Sequence, residues 1–297
     1  MRITRIDLAD KGSPEALVSL ILKCEPNLPV PTPIEELCRQ LDIQGIEPLD
    51  TNEFEGGLIT DTGRSRGIIL VRSGAPRRRR RFTIGHELGH FLIPAHMPGP
   101  DGRFLCSKRD MMLLSAKEND RRGRMEVEAN RFAGLILLPP PALRKALARE
   151  RSPGMEHMLS IADEFDVSKE ATARAYAEYH PEAVAFAVVH EGRVLRCYRN
   201  RRFPSIIVPR NSLVPQGSLY HRPGHRPGMP SELDTRLPDL WIDVERGRAA
   251  PTMSEQVYLQ AKGFALIMLW YEPTDDDEEN DERTAKERLR DRQGRLQ

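Results

Sequence analysis

Two histidines four residues apart, in the run His86-Glu87-Leu88-Gly89-His90, restrict this chain more than any other feature. On a helix, positions i and i+4 lie one above the other on the same face, so the run predicts a helix whose two rings can meet one metal. The surroundings agree. Pro76 suits a helix start and Pro94 a stop, and Gly85 and Gly89 leave room beside the histidines. Glu87 then projects beside the ion, where it can take a proton from a bound water and pass it to a leaving amine. Zinc lowers the pKa of such a water to about 7. The run therefore points to a zinc-dependent peptidase, with manganese as a substitute that imidazole and carboxylate ligands also accept.

A catalytic zinc wants a third protein ligand and an open position. His96 follows His90 by six residues, but the sharp turn needed to bring it back calls for a glycine where Ile93 stands; it reads as a bystander in the turn after the helix. Glu126 and Glu128 belong to a separate downstream helix. Glu126 shares a face with Ala129 and Ala133, small residues that let two helices approach closely, whereas Glu128 lies nearer the solvent side. Glu126 is the preferred third ligand.

Periodicity sets the rest of the chain around this pair of helices. Helices are expected near 15–24, from Ile34 to Leu41, from Pro76 to the stop at Pro94, from Met125 to Leu138, and near 155–165 and 169–180. Gly57–Thr60 and Gly67–Arg72 read as strands, and 98–117 as a loop. Pro139-Pro140-Pro141 halts the Glu126 helix. From Ala183 the pattern turns to strands: a hairpin around Glu191-Gly192, another around Gly263, and further strands at 206–208 and 240–244, with 215–239 as a Pro/Gly-rich loop. The fold class is α+β: a helical HExxH domain with a small β-sheet, helix-turn-helix-like helices and a β-rich C-terminal region. The domains fall at 1–140 (metallopeptidase), 141–182 (helical segment packing on it), 183–272 (docking or regulation) and 273–297, a charged tail read as disordered.

Composition narrows the partners. Lys plus Arg (45) nearly cancel Asp plus Glu (44), so no strong field directs the chain to nucleic acid or a membrane surface. No run reaches the roughly 18 apolar residues of a membrane span, and the N-terminus lacks the form of a signal peptide. Four dispersed cysteines suit a reduced compartment. A cytoplasmic location follows.

Other features read as structural. Arg77–Arg81 form a solvated face on the first turns of the histidine helix, at a cost of roughly 0.3–1 kcal/mol per residue beside the helix dipole. That cost hints at an acidic or nucleic-acid partner. The helices around Asp166-Val167-Ser168, with Ser168 as N-cap, resemble a helix-turn-helix. The second offers Lys169 and Arg174 against Glu170 and Glu178, so direct nucleic-acid binding is not expected. Tyr176, Tyr179 and His180 are read as surface aromatics, His221 and His225 as surface residues, and Cys106 as a plain loop cysteine rather than a metal ligand or redox switch.

The string Arg81-Phe82-Thr83-Ile84-Gly85-HELGH, followed by Glu126-Val127-Glu128-Ala129-Asn130-Arg131-Phe132-Ala133 and Leu137-Leu138-Pro139, resembles the ImmA/IrrE family of metallo-endopeptidases. The resemblance runs from about residue 15 to 180. It implies zinc on His86, His90 and Glu126, a catalytic Glu87, and a protein substrate that is a cytosolic transcriptional repressor or antitoxin, whose cleavage switches genes on. The rival expectation is a non-catalytic regulatory or DNA-binding protein that keeps the metallopeptidase fold as a scaffold.

Overall fold

A computed structural model describes residues 2–61, 63–99, 101–244 and 251–272. The chain is α+β and divides into two compact units, one of residues 1–146 and 160–172, the other of 147–159 and 173 onward. The expected tail at 273–297 lies outside the described residues.

In the first unit, helices α1 (Pro14–Cys24) and α2 (Ile34–Gln40) precede the strands β1 (Ile43–Leu49), β2 (Gly56–Thr60) and β3 (Gly67–Arg72). The histidine helix α3 (Arg77–Leu92), strand β4 (Arg103–Cys106), and helices α4 (Arg121–Leu137) and α5 (Pro140–Leu147) follow. The four strands form one sheet in the order β1-β3-β2-β4; β1 runs parallel to β3, and β2 is antiparallel to both β3 and β4. Two of these strands differ from expectation. β1 lacks a strand signal in the sequence because it is an edge strand with little buried surface carrying Gly45 and Pro48, residues that sheet edges tolerate and strand interiors do not. β4 lies inside the expected loop, and pairs Cys106 with Gly56 at the other edge. The proline run ends α4 as expected but also starts α5, since prolines in a first turn lack only N–H groups that would have no helical partner.

Close packing of α3 on α4 rests on small residues. A Cβ placed on Gly85 would lie 3.4 Å from the Ala133 Cα, and one on Gly89 3.2 Å from the Ala129 Cα. Each glycine thus meets an alanine of the other helix, and larger side chains would push the helices apart.

The arginine run has partners within the same unit. Arg77 and Arg81 reach Asp166 at 2.7 and 3.3 Å, Arg78 reaches Asp163 at 2.6 Å, and Arg80 reaches Glu35 at 3.2 Å. Arg81 also donates to the Thr32 carbonyl at 2.9 Å. These contacts offset the helix-dipole cost and remove the reason to invoke an acidic or nucleic-acid partner for it. Asp166 takes a left-handed φ of 51° at the turn between α6 (Met155–Glu164) and α7 (Lys169–Tyr179), and Ser168 caps α7 through the Ala171 N–H. The boundary between the two units passes through both α6 and α7.

The second unit holds a five-stranded antiparallel sheet. Its strands are β5 (Ala183–His190), β6 (Arg193–Arg199), β7 (Asp234–Arg236), β8 (Thr252–Leu259) and β9 (Phe264–Glu272), in the order β6-β5-β9-β8-β7. Both expected hairpins are present. Residues 240–244 are not a strand: Pro238–Leu240 is a 3-10 turn, and Ile242 makes an isolated bridge with Ile206. Trp241 is fully buried; its indole N–H, the Ser218 hydroxyl and the Leu219 N–H all donate to the buried Glu255 carboxylate. Tyr176 is a core residue rather than a surface one, stacked on His180 with ring centroids 4.9 Å apart. His221 and His225 tie the 215–239 loop together by contacts to the Val214 and Leu219 carbonyls at 3.1 and 2.7 Å.

Candidate metal centre

α3 presents His86, Glu87 and His90, all fully buried. His86 Nε2 and His90 Nε2 are 3.1 Å apart, as the i, i+4 spacing requires. α4, drawn in by the glycine–alanine contacts, brings Glu126 Oε2 to 3.2 Å from His86 Nε2 and 3.4 Å from His90 Nε2, without completing a hydrogen bond to either. Glu128, two residues on, points elsewhere.

The ring nitrogens that face this cluster are set by what holds the opposite nitrogens. Asn130 donates through Nδ2 to the Asp110 and Leu113 carbonyls at 2.8 and 3.0 Å, which leaves its Oδ1 to accept from His86 Nδ1 at 2.9 Å. His86 Nδ1 therefore carries the proton and Nε2 a lone pair. A parallel chain serves His90. His96 Nε2 donates to Glu128 at 3.0 Å, so its bare Nδ1 accepts from His90 Nδ1 at 3.0 Å, and His90 Nε2 is likewise bare. His96 is thus no bystander: it is fully buried and orients His90. Its position is fixed by Arg64, which donates to the carbonyls of Ile93 (2.7 Å), Pro94 (2.8 Å) and His96 (3.1 Å) and so places a cation at the C-terminal end of α3.

Three lone-pair atoms facing one another in a dry site repel unless a cation lies among them. The electrostatics register that demand. Burial alone would depress His86, but the Glu126 carboxylate, with Glu87, holds it above its ordinary value. Burial pushes His90 down to about 3. Glu126 stays well below the usual carboxylate range: burial opposes this, but His86 and His90 outweigh it. Burial, with Glu126 adding to it, pushes Glu87 up to about 7 against the pull of His86. Glu126 Oε2 and Glu87 Oε1 are buried without hydrogen-bond partners, and a divalent metal fits such a donor set.

Cys106 completes the cluster. Expected in a loop, it sits buried on β4 with Sγ 3.6 Å from His90 Nε2. One donor atom from each of His86, His90, Cys106 and Glu126 lies within 4.8 Å of the others. Phe104, also on β4, stacks on His90 with centroids 4.7 Å apart. Gly56 on β2 makes room opposite: a Cβ there would lie 2.3 Å from Thr83 Cγ2 and 2.9 Å from Glu87 Oε1. The sequence carried one available signal for Asn130, which stands four residues after Glu126 on the same helix face. For Arg64, Gly56 and Cys106 it carried no comparable periodicity.

Residues 38–176 match the IrrE N-terminal-like domain. Over 127 residues the chain is 30% identical to the radiation response metalloprotease IrrE of Deinococcus radiodurans, a stretch that is 42% of this chain and 35% of that relative. The chain thus spans about a third of the length of the curated relative it matches. Its fold is similar to that of a Mycobacterium tuberculosis transcriptional regulator, with a TM-score of 0.51 over 90% of this chain and 79% of the other, at 14% identity. No helix among the described residues is long and apolar enough to cross a membrane. The matched region at 38–176, which carries His86, Glu87, His90, Cys106 and Glu126, is thus similar to the IrrE N-terminal-like domain.

Proposed function

We propose that the chain is a zinc-dependent endopeptidase, accepting manganese as a substitute, that acts in the cytoplasm on a transcriptional repressor or antitoxin and so switches on gene expression. His86, His90 and Glu126 are the metal ligands and Glu87 the general base. The observation that carries this reading is the convergence of two bare imidazole nitrogens and an unpartnered carboxylate oxygen at 3.1–3.4 Å, with a second buried carboxylate beside them. His86, His90 and Glu126 would hold a divalent metal whose Lewis acidity would polarise a peptide carbonyl and lower the pKa of water towards neutrality. Glu87 accepts the proton of that water and returns it to the leaving amine. Asn130 and His96 keep the two imidazoles oriented throughout.

A cleft on one helix face contacts too few substrate residues to select one protein among many, so a second surface must contribute, and residues 183–272 are the proposed docking region. Deleting everything after residue 182 is a poor test, because 147–159 and 173–182 would lose the sheet of their own unit. The Glu87→Gln full-length chain serves better. It should keep one metal per chain, generate no new protein N-termini in a cell extract, and retain the uncleaved partner through cross-links to 183–272. The wild type should generate new termini from one or a few proteins. Equal sets of new termini from both chains would refute catalysis by Glu87, and cross-links confined to the first unit would refute the docking assignment.

A further inference from the structure

We propose that Cys106 is a fourth metal ligand, so that the resting centre is closed and must release this thiolate before Glu87 can activate water. The proposal rests on the reading of His86, His90 and Glu126 as ligands and adds to it a coordination state.

The distances carry it. With zinc–nitrogen and zinc–oxygen bonds of about 2.0–2.1 Å and zinc–sulfur of about 2.3 Å, a tetrahedral site has edges of about 3.3 Å between nitrogen or oxygen donors and about 3.6 Å from these to sulfur. The three nitrogen and oxygen donors here stand 3.1, 3.2 and 3.4 Å apart. Cys106 Sγ lies 3.6 Å from His90 Nε2 and 3.9 Å from Glu126 Oε1. The three nitrogen and oxygen donors therefore form one face of a tetrahedron of the size zinc requires, Cys106 Sγ stands at the matching distance from the His90 corner, and one donor atom of each of the four residues lies within 4.8 Å of the others.

The thiol is not there as ordinary packing. It forms no disulfide, and its neighbours include Glu126 and Glu87, each buried with one carboxylate oxygen lacking any partner. Packing alone leaves Glu126 Oε2 stranded, whereas a cation among the donors would satisfy it. Its backbone is fixed as well, because β4 pairs Cys106 with Gly56. Gly56 is also the residue whose missing side chain makes room for Glu87.

The consequence concerns Glu87. Structural zinc sites use four protein ligands, and catalytic ones keep a position for water. Glu87 Oε2, the carboxylate oxygen nearest the thiol, faces Cys106 Sγ at 3.8 Å, so sulfur stands where the reacting water would be held. Opening is a ligand substitution without electron transfer: the sulfur–metal bond breaks, the thiolate takes up one proton from solvent, and a water molecule enters the vacated position.

X-ray absorption on the full-length zinc-loaded protein tests this. The wild type should show one sulfur scatterer at about 2.3 Å among nitrogen and oxygen scatterers at about 2.0–2.1 Å. Cys106→Ser should keep one zinc per chain and lose the sulfur. The cobalt-substituted wild type should show a sulfur-to-metal charge-transfer band that the variant lacks. Acetohydroxamate, a probe for an open position, should bind cobalt-loaded Cys106→Ser more than about tenfold more tightly than the wild type. A loaded wild type without sulfur in its spectrum overturns the proposal, whatever the variant does, and leaves the three-ligand reading intact. Sulfur that persists in Cys106→Ser overturns it too. A wild type that binds no metal overturns the underlying ligand assignment and this proposal together.

Discussion

Asn130→Ala probes how the site decides which nitrogen of His86 is bare. The substitution removes three hydrogen bonds at once, those to the Asp110 carbonyl (2.8 Å), the Leu113 carbonyl (3.0 Å) and His86 Nδ1 (2.9 Å). At about 1 kcal/mol net for each, the folded state should lose roughly 3 kcal/mol. The effect on metal is separate. Without an acceptor for Nδ1–H, His86 can rotate or change tautomer, and loss of such a supporting partner lowers metal affinity about 10–100-fold, or about 1.4–2.8 kcal/mol. Asn130→Asp divides the two effects: its carboxylate still accepts from His86 but offers no donor to the two carbonyls, so stability should fall while the tautomer and most of the affinity persist. Urea unfolding measures the first quantity and competition with a chromophoric chelator the second; long-range proton–nitrogen NMR reads the tautomer. An Asn130→Ala protein that is folded, holds metal as tightly as the wild type and keeps Nε2 bare would show that Asn130 does not set the His86 tautomer.

His96→Phe should lower metal affinity by about 10–100-fold in the same competition assay, because His90 loses the acceptor for its Nδ1–H. Glu128→Ala should cost less, since its half-exposed carboxylate can be replaced by water; equal losses would place the control at Glu128. Gly56→Ala should reduce stability by about 1–3 kcal/mol in urea unfolding, as its Cβ would collide with Thr83, and should displace Glu87 without changing metal stoichiometry. An unaltered unfolding midpoint would refute it. Burial holds Glu255 above its ordinary value of 4.5 in the folded chain. A raised carboxyl contributes stability that is complete below the unfolded pKa and lost as pH rises through the folded one. Relative to Glu255→Gln, the wild type should therefore lose stability as pH climbs from about 4.5, followed by Trp241 fluorescence. A pH-independent difference between the two chains would show that Glu255 does not titrate across folding.

Most of the helical frame could be read from the chain because its signals are local. Pro76 and Pro94 bracket α3, Ser168 caps α7, and the apolar run from Ala183 with its Glu191-Gly192 turn marks the β5–β6 hairpin. What escaped was set by distant partners. β1 exists because β3 is beside it, and its own pattern of exposed residues with Pro48 argues against a strand. β4 is four residues long and acquires its identity from pairing with β2. The prolines at 139–141 were legible as a stop, but their compatibility with a new first turn depends on the residues that follow.

The candidate site divides along the same line. His86, Glu87, His90 and Glu126 lie on helices, where spacing alone fixes which side chains share a face, and the Ala129 and Ala133 pattern even indicated how closely α4 would approach. A helix can present an imidazole but does not determine which of its nitrogens carries the proton. That choice is made by an acceptor on the far side of the ring. For His86 the acceptor is Asn130, itself oriented by carbonyls at Asp110 and Leu113; for His90 it is His96, held by Glu128 and by the Arg64 contacts to the turn at 93–96. Leu113 and His96 belong to irregular segments and Asp110 to a single 3-10 turn, where a carbonyl oxygen keeps a lone pair for a side-chain donor. Periodicity therefore reveals the donors of such a centre, while the groups that set their protonation lie in segments without a period, where only the folded backbone brings them into register.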